Sequence, residues 1–448
     1  MPQAYEASLA GWGNHPRLRC VVTRPERRRE LQRVLDARGT LGRGLGRSYG
    51  DAALNDRGTV IDMTGLDRYL AFDEERGELR VEAGASLRQI IDDFAPRGFF
   101  PRIVPGTKFV TVGGSIANDV HGKAHHVDGC ISESVVDLDL LLADGSVRRC
   151  SRDENAELFW ATVGGMGLTG LVLAATLRLR RIETTYFRQK AIRVGNLEEM
   201  VAALDEHDRQ HRYSVAWVDP MAKGERLGRG VLTVGDPASL EDLPAAKRYK
   251  ARAVSPPSPL VVPLEMPSFA LNSTTVRLLD VVIEQMQAGA GALAHYEKFF
   301  FPLDFVGEWW RGYGPKGFIQ YQFVIPLDDG LRRMRGILER IVASDQVPFL
   351  NVLKKFGKAN PAPLSFPFEG YTLAIDFPVR PGLGELTRDL DARVLDAGGR
   401  LYLGKDSMMD AATMAAMYPR LEEWRAVKKS VDPDGVFTSN LARRVGLA

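Results

Sequence analysis

The chain has 448 residues, 45% of them hydrophobic and 26% charged, with a formal net charge of +2. That length accommodates two domains with cores of their own. The near-neutral balance gives no reason to invoke nucleic acid, which favours a concentrated basic surface, and Arg27-Arg28-Arg29 reads as a solvated helix face. The three cysteines, Cys20, Cys130 and Cys150, have neither metal-ligand spacing nor a disulfide framework and fit a reducing compartment. No apolar run of about 18 residues and no signal-peptide core is present, so a cytoplasmic protein is expected, with peripheral membrane contact left open.

In chain order, residues 26–38 read as a helix, and residues 59–63, 78–84 and 135–142 as strands. Asp144-Gly145 follows as a hairpin turn. Residues 86–94 and 154–160 read as helices, with Ser86 and Asp153 as N-caps. Near Arg181 the glycine-rich texture stops. Beyond it come helices at 197–211 and 329–344, strands at 318–325 and 371–377 on a second sheet, and a helix at 410–427. The proline-rich run 255–263 breaks regular structure and is expected to be a mobile loop. This is α+β with mixed sheets, without the regular βαβ alternation of a dinucleotide-binding Rossmann domain.

Three glycine-rich segments carry the chemistry. In the first, residues 41–51, Gly42, Gly44 and Gly46 are spaced G-x-G-x-G among Arg43, Arg47, Ser48 and Tyr49. Glycine permits positive φ and lets amide N–H groups converge on an anion, which suits a pyrophosphate. The Rossmann fingerprint needs G-x-G-x-x-G opening a helix, and residues 48–55 do not read as one. Alone, such a run reads equally as a tight turn. Residues 104–123 and 163–172 repeat the pattern of small residues that allows backbone to approach a planar ligand.

Together the three segments resemble the FAD-binding domain of the vanillyl-alcohol-oxidase-type flavoproteins. Gly46-Arg47-Ser48-Tyr49-Gly50-Asp51, then Pro105-Gly106-Thr107-Lys108 with Val110-Thr111-Val112-Gly113-Gly114, then His121-Gly122-Lys123-Ala124-His125-His126, narrow the resemblance to the flavin subunits of the decaprenylphosphoryl-β-D-ribose epimerases. Gln320-Tyr321-Gln322, Pro363-Leu364-Ser365-Phe366-Pro367, Lys405-Asp406-Ser407 and the ending Ala442-Arg443-Arg444 extend it over nearly the whole chain. The resemblance implies a two-domain α+β flavoprotein. Its parts would be an FAD-binding domain (1–184), a substrate domain built on an antiparallel sheet (185–399) and a C-terminal segment (400–448) returning to the FAD domain.

The implied FAD contacts are Arg43, Gly44, Leu45, Gly46, Arg47, Ser48 and Tyr49 in the first loop. In the second they are Pro105, Gly106, Thr107, Thr111, Val112, Gly113, Gly114, Ala117, Asn118, His121 and Gly122, and in the third Gly167, Gly170, Leu171 and Val172. Relatives that link flavin covalently carry a histidine where this chain has Arg47, so non-covalent FAD is expected.

An alcohol oxidase needs a base for the hydroxyl proton while the flavin takes the electrons. By itself Lys405 reads as a surface lysine paired with Asp406; the resemblance makes it the active-site lysine, desolvation lowering its pKa toward neutrality. Lys354, Gln322 and Tyr49 join it as implied catalytic residues, and His121, Lys123, Gln320, Trp217, Thr372 and Tyr402 as substrate contacts. Gln320 and Gln322 share one strand face; Lys355 is expected to face solvent. Some members carry cysteine and asparagine where this chain has Ala374 and Thr372, which bears on substrate choice.

The implied reaction is FAD-dependent oxidation of the C2 hydroxyl of a polyprenyl-phosphate ribose to the 2-keto sugar. A separate NAD(P)H-dependent short-chain reductase completes the epimerisation, and quinone or oxygen accepts the electrons. Leu260, Val261, Val262, Leu264, Met266 and Phe269 either cover an apolar groove for the prenyl tail or form a plain surface loop. A related oxidase of a soluble polyol, sugar or lactone is the alternative, and a flavin-holding binding protein a third; the intact Lys405, Gln322, Lys354 and Tyr49 argue against the last.

Overall fold

The computed structural model describes residues 3–35, 39–256, 260–267, 272, 274–276, 283–285, 287 and 291–447. Their strands form three sheets. The first has β1 (Tyr5–Ala10), β2 (Arg17–Thr23), β3 (Thr40–Arg43) and β4 (Thr59–Asp62) in the order β1-β2-β4-β3, with β3 and β2 parallel to β4. The second has β5 (Tyr69–Asp73), β6 (Glu78–Glu82), β7 (Phe99–Pro101), β8 (Val135–Leu141), β9 (Val147–Ser151) and β10 (Leu171–Arg181), ordered β5-β6-β10-β8-β9 with β7 also on β10. The third has eight strands, β11 (Tyr186–Val194), β12 (Tyr213–Val218), β13 (Gly230–Pro237), β14 (Leu293–His295), β15 (Phe318–Pro326), β16 (Asn351–Phe356), β17 (Gly370–Pro378) and β18 (Arg400–Leu401), ordered β14-β11-β13-β12-β16-β17-β15-β18. Every pair in it is antiparallel.

The third sheet is two-faced because its central strands alternate. On β15, Ile319, Tyr321, Phe323 and Ile325 point to a core shared with Leu373, Ile375 and Phe377 of β17 and Leu353 of β16. Helices Leu197–His207, Gly330–Val342 and Leu383–Asp396 cover that face with Leu204, Ile337, Leu390 and their neighbours. Each such fully buried aliphatic contributes about 1.5–3 kcal/mol. The intervening residues Gln320, Gln322, Lys354 and Ala374 turn to the opposite face and a cavity.

Several sequence expectations shift in detail. Ser86 caps the helix Leu87–Phe94 by accepting from Gln89 N, and Gln89 completes the capping box. Asp153 does not cap the next helix: Asn155, in the left-handed region at φ 50°, precedes Ala156–Thr162. The first helix covers Arg28–Val34, since Leu35 is extended, and residues 36–38 lie outside the described ones. The helix expected at 410–427 is two, Ala411–Met417 and Leu421–Val431, because Pro419 cannot continue the first. In the proline-rich run, residues 257–259 lie outside the described ones, as does Phe269. Leu260 and Val262 hydrogen-bond Gly307, anchoring the part that is described. Among the described residues no helix is long and apolar enough to cross a membrane.

Candidate active site

A cavity of about 470 Å³ lies between the glycine-rich segments and the polar face of the third sheet. Its far wall is laid by β3. Past Arg43 the chain bends without forming a helix, and the backbone N–H groups of Leu45, Gly46, Arg47 and Ser48 donate to no acceptor among the described residues. Such converging amides are an anion cradle. A Cβ on Gly44 would stand 2.1 Å from Thr111 Oγ1, so this loop presses on the second segment. There Thr111 caps the helix Val112–Ala117 through Gly114 N at 3.2 Å. A Cβ on Gly113 would meet Ala83 at 3.0 Å. In the third segment Gly167 has φ +74° and open space where a side chain would be. Bare backbone on three sides, with free N–H groups at one end, fits a flat dinucleotide such as FAD.

The two loop arginines serve the protein as much as a ligand. Arg43 donates to Ala53 O at 2.9 Å and Ala10 O at 2.7 Å. Arg47 lies 3.9 Å over the Trp12 ring, in a cation–π contact, and donates to Phe109 O.

The opposite end is polar, and most of its side chains are buried. Lys405 Nζ sits 3.7 Å over the Tyr49 ring and forms no ion pair among the described residues, so the reading of a surface lysine paired with Asp406 is corrected. Burial lowers its pKa, Asp376 opposes that and Lys354 adds to it. Asp376 is fully buried and accepts from Gln320 Nε2 at 2.6 Å and Tyr313 Oη at 2.9 Å; burial raises its pKa. Burial brings Lys354 down to about 8. His121 is held well below its ordinary value, first by burial and then by Lys354, and stays neutral. Its Nε2 meets Gln322 Nε2 at 3.1 Å, and Gln322 also reaches Thr372 Oγ1 at 3.3 Å. Tyr402 donates to Asn118 O at 3.0 Å, tying the sheet end to the second segment.

Lys405, Tyr49, Gln322, Lys354, His121, Gln320 and Tyr402 all line the one cavity, as do most of the expected cofactor contacts. Val112, Gly122, Lys123, Trp217 and Thr372 do not. Val112 is core, and Gly122 packs against Val104 O. The Lys123 ammonium donates to Phe299 O, its pKa lowered to about 7 by burial and then Lys354. Trp217 is buried one strand out, beside Val352, and Thr372 stands behind Gln322. Lys355 pairs with Asp205 at 2.5 Å, correcting the solvent-facing reading.

Several wall residues escaped the sequence reading: Trp12, Asp304, Val306, Glu308 and Trp309, with Leu350 and Val352. Trp12 and Trp309 meet edge to face at 5.7 Å in the cavity wall. Neither belongs to the three glycine-rich segments. Asp376 carried no sequence signal, because its place opposite Gln320 is set by strand register.

Comparison with known proteins agrees with this geometry. The FAD binding domain family matches residues 21–151, and the D-arabinono-1,4-lactone oxidase family matches residues 318–445. The decaprenylphosphoryl-β-D-ribose oxidase of Mycolicibacterium smegmatis is 40% identical over 98% of this chain and 97% of its own. The L-gulono-1,4-lactone dehydrogenase of Mycobacterium tuberculosis is 23% identical over 95% of each chain. The L-gulonolactone oxidase of Mus musculus is 32% identical over 38% of each. The chain therefore belongs to the decaprenylphosphoryl-β-D-ribose oxidase family of FAD-dependent oxidoreductases acting on CH–OH groups.

Proposed function

We propose that the protein oxidises the C2 hydroxyl of decaprenylphosphoryl-β-D-ribose to the 2-keto sugar, the first half of an epimerisation to the arabinose donor for cell-wall arabinan. The carrying observation is the single cavity that joins a backbone cradle for FAD to a desolvated lysine pair, Lys405 and Lys354, beside two sheet amides. Residues 43–49, 105–118 and 167–172 would hold FAD, which would supply the two-electron acceptor.

The chain's own groups do the rest. Lys405 Nζ, its pKa lowered to about 7 chiefly by burial, takes the hydroxyl proton in its neutral form. The Tyr49 ring beneath it fixes its height. Gln322, held by His121 and Thr372, and Gln320, held by Asp376, orient the sugar hydroxyls. Lys354 answers the phosphate or polarises the hydroxyl. The exposed Leu260, Val261, Leu264, Met266 and Phe305 beside the mouth receive the prenyl chain or a membrane surface. A short-chain NAD(P)H-dependent reductase would then reduce the ketone, with quinone or oxygen as the final electron acceptor.

The match of residues 318–445 to a lactone oxidase family favours a second reading, oxidation of a soluble polyol, sugar or lactone. Anaerobic mixing separates the two. The prenyl-phosphoribose should bleach the flavin band while ribitol, xylitol and gulonolactone leave it; the reverse pattern rejects the proposal.

A further inference from the structure

Arg444, on the helix Asn440–Val445, holds two loops at once. Its Nε and Nη2 donate to both carboxylate oxygens of Asp51, at 3.0 and 2.7 Å, the two-pronged geometry in which arginine is most specific. Its Nη1 donates to Asp406 Oδ2 at 2.7 Å and to Met409 O at 2.6 Å. Asp51 is 5% exposed and Asp406 8%, so water replaces little of either contact. The other oxygen of Asp406 accepts from Met408 N and Met409 N, both at 3.0 Å, which fixes that carboxylate in its turn.

The positions of these two carboxylates carry the argument. Asp51 closes the cofactor loop just beyond Tyr49, and Asp406 directly follows Lys405. The same two loops touch through backbone: Tyr49 N donates to Gly404 O at 3.1 Å, and a Cβ on Gly50 would lie 2.3 Å from Asp406 O. The 3.7 Å contact of Lys405 Nζ over the Tyr49 ring is thus the free end of a joint whose other end is Arg444. Arg444 is absent from the cavity wall and acts only through its partners.

We propose that Arg444 is a positioning residue that staples the cofactor loop to the turn bearing Lys405, making the seating of the flavin and the placement of the base one coupled unit. The inference rests on the reading of Lys405 as the base. Lysine cannot replace Arg444, because a single ammonium lacks the planar fork that spans two carboxylates.

Purified holoenzymes of R444K, R444M, D51N, D406N and R444M/D406N test it by two measurements, FAD release followed by flavin fluorescence and anaerobic flavin reduction by substrate across pH. R444K should slow reduction roughly ten- to hundred-fold, the loss expected when a reacting group moves by about 1 Å, with little change in substrate affinity. D406N and D51N should each slow reduction and speed FAD release, since each carboxylate is one arm of the same joint. R444M/D406N should reduce no more slowly than R444M, since both act on one joint. If R444M does not fold, R444K and the two single-arm variants decide the matter.

R444K and D406N enzymes that keep FAD and reduce it at the wild-type rate overturn the proposal. So do losses that merely follow each variant's thermal midpoint. Lys405→Ala separates this from the base assignment: if it reduces normally, the base reading falls while the FAD-release arm still judges the staple.

Discussion

At the residue scale the site turns on how burial and charge divide the titration of Lys405. As the base it must be neutral, so flavin reduction should rise with pH through its folded pKa, which lies below the ordinary 10.5. Asp376 pulls that pKa up and Lys354 pushes it down. Asp376→Asn should therefore move the limb of the reduction–pH profile to lower pH, and Lys354→Met should move it to higher pH. Stopped-flow reduction at a series of pH values checks both, and shifts of the same sign would remove Lys405 as the titrating group. Lys405→Ala should keep yellow FAD and lose about 10²–10⁴-fold in reduction, the usual worth of a positioned base. Lys405 was legible because it sits in the Lys405-Asp406-Ser407 motif, and Lys354 because the resemblance implies it. Asp376 was not, because its effect comes from a cross-strand register that brings Gln320 and Tyr313 onto one carboxylate.

At the scale of elements, close contact between segments decides which glycines matter for folding and which for the ligand. A side chain on Gly44 meets Thr111 Oγ1 at 2.1 Å, while one on Gly106 meets nothing within 4 Å and enters the cavity. Gly44→Ala should cost about 1–3 kcal/mol, the usual penalty of overpacking, and weaken FAD binding as well. Gly106→Ala should melt like the wild type yet hold FAD less tightly. Calorimetry with and without flavin distinguishes the two, and equal stability losses would show that the cradle is not shaped for a ligand. The strand alternation was readable in advance on β15. The cap at Asn155 was not, because its left-handed backbone is set by packing around Arg149 O, to which its side chain donates at 2.8 Å.

For the whole molecule, Asp128 is a principal fastener between the second and third sheets. It pairs with Arg180 of β10, with Arg212 just before β12, and with Arg102. Its pKa is lowered by Arg180 and Arg212 against the desolvation that would raise it. The sign follows: its contribution is complete above the ordinary carboxylate value of 3.8 and is lost as pH falls through the lower folded value. Asp128→Ala should destabilise by about 3–5 kcal/mol at neutral pH, as for one member removed from a buried ion cluster, and acid unfolding of the wild type should then be steeper than that of the variant. Denaturant midpoints at pH 7 and pH 3 check this. Acid precipitation gives a second test at this scale: with Arg47 stacked on Trp12 where a linking histidine would stand, FAD should pass into the supernatant and leave a colourless pellet.

The amino-acid sequence by itself determined the cofactor class, the non-Rossmann character of the first loop and the alternation of the strand that presents Gln320 and Gln322. Those features are local: glycine spacing sets backbone freedom, and a period of two sets which side chains share a face. Only the tertiary structure decided which of the expected residues share a cavity. Lys123, Trp217 and Thr372 have suitable chemistry, but one spends its ammonium on Phe299 O and the other two sit behind the wall. Trp12, Asp304 and Trp309 enter that wall from distant parts of the chain, and Arg444 joins the cofactor loop to the Lys405 turn across 393 residues. Such juxtapositions depend on how three sheets pack, a property that no short window of sequence contains.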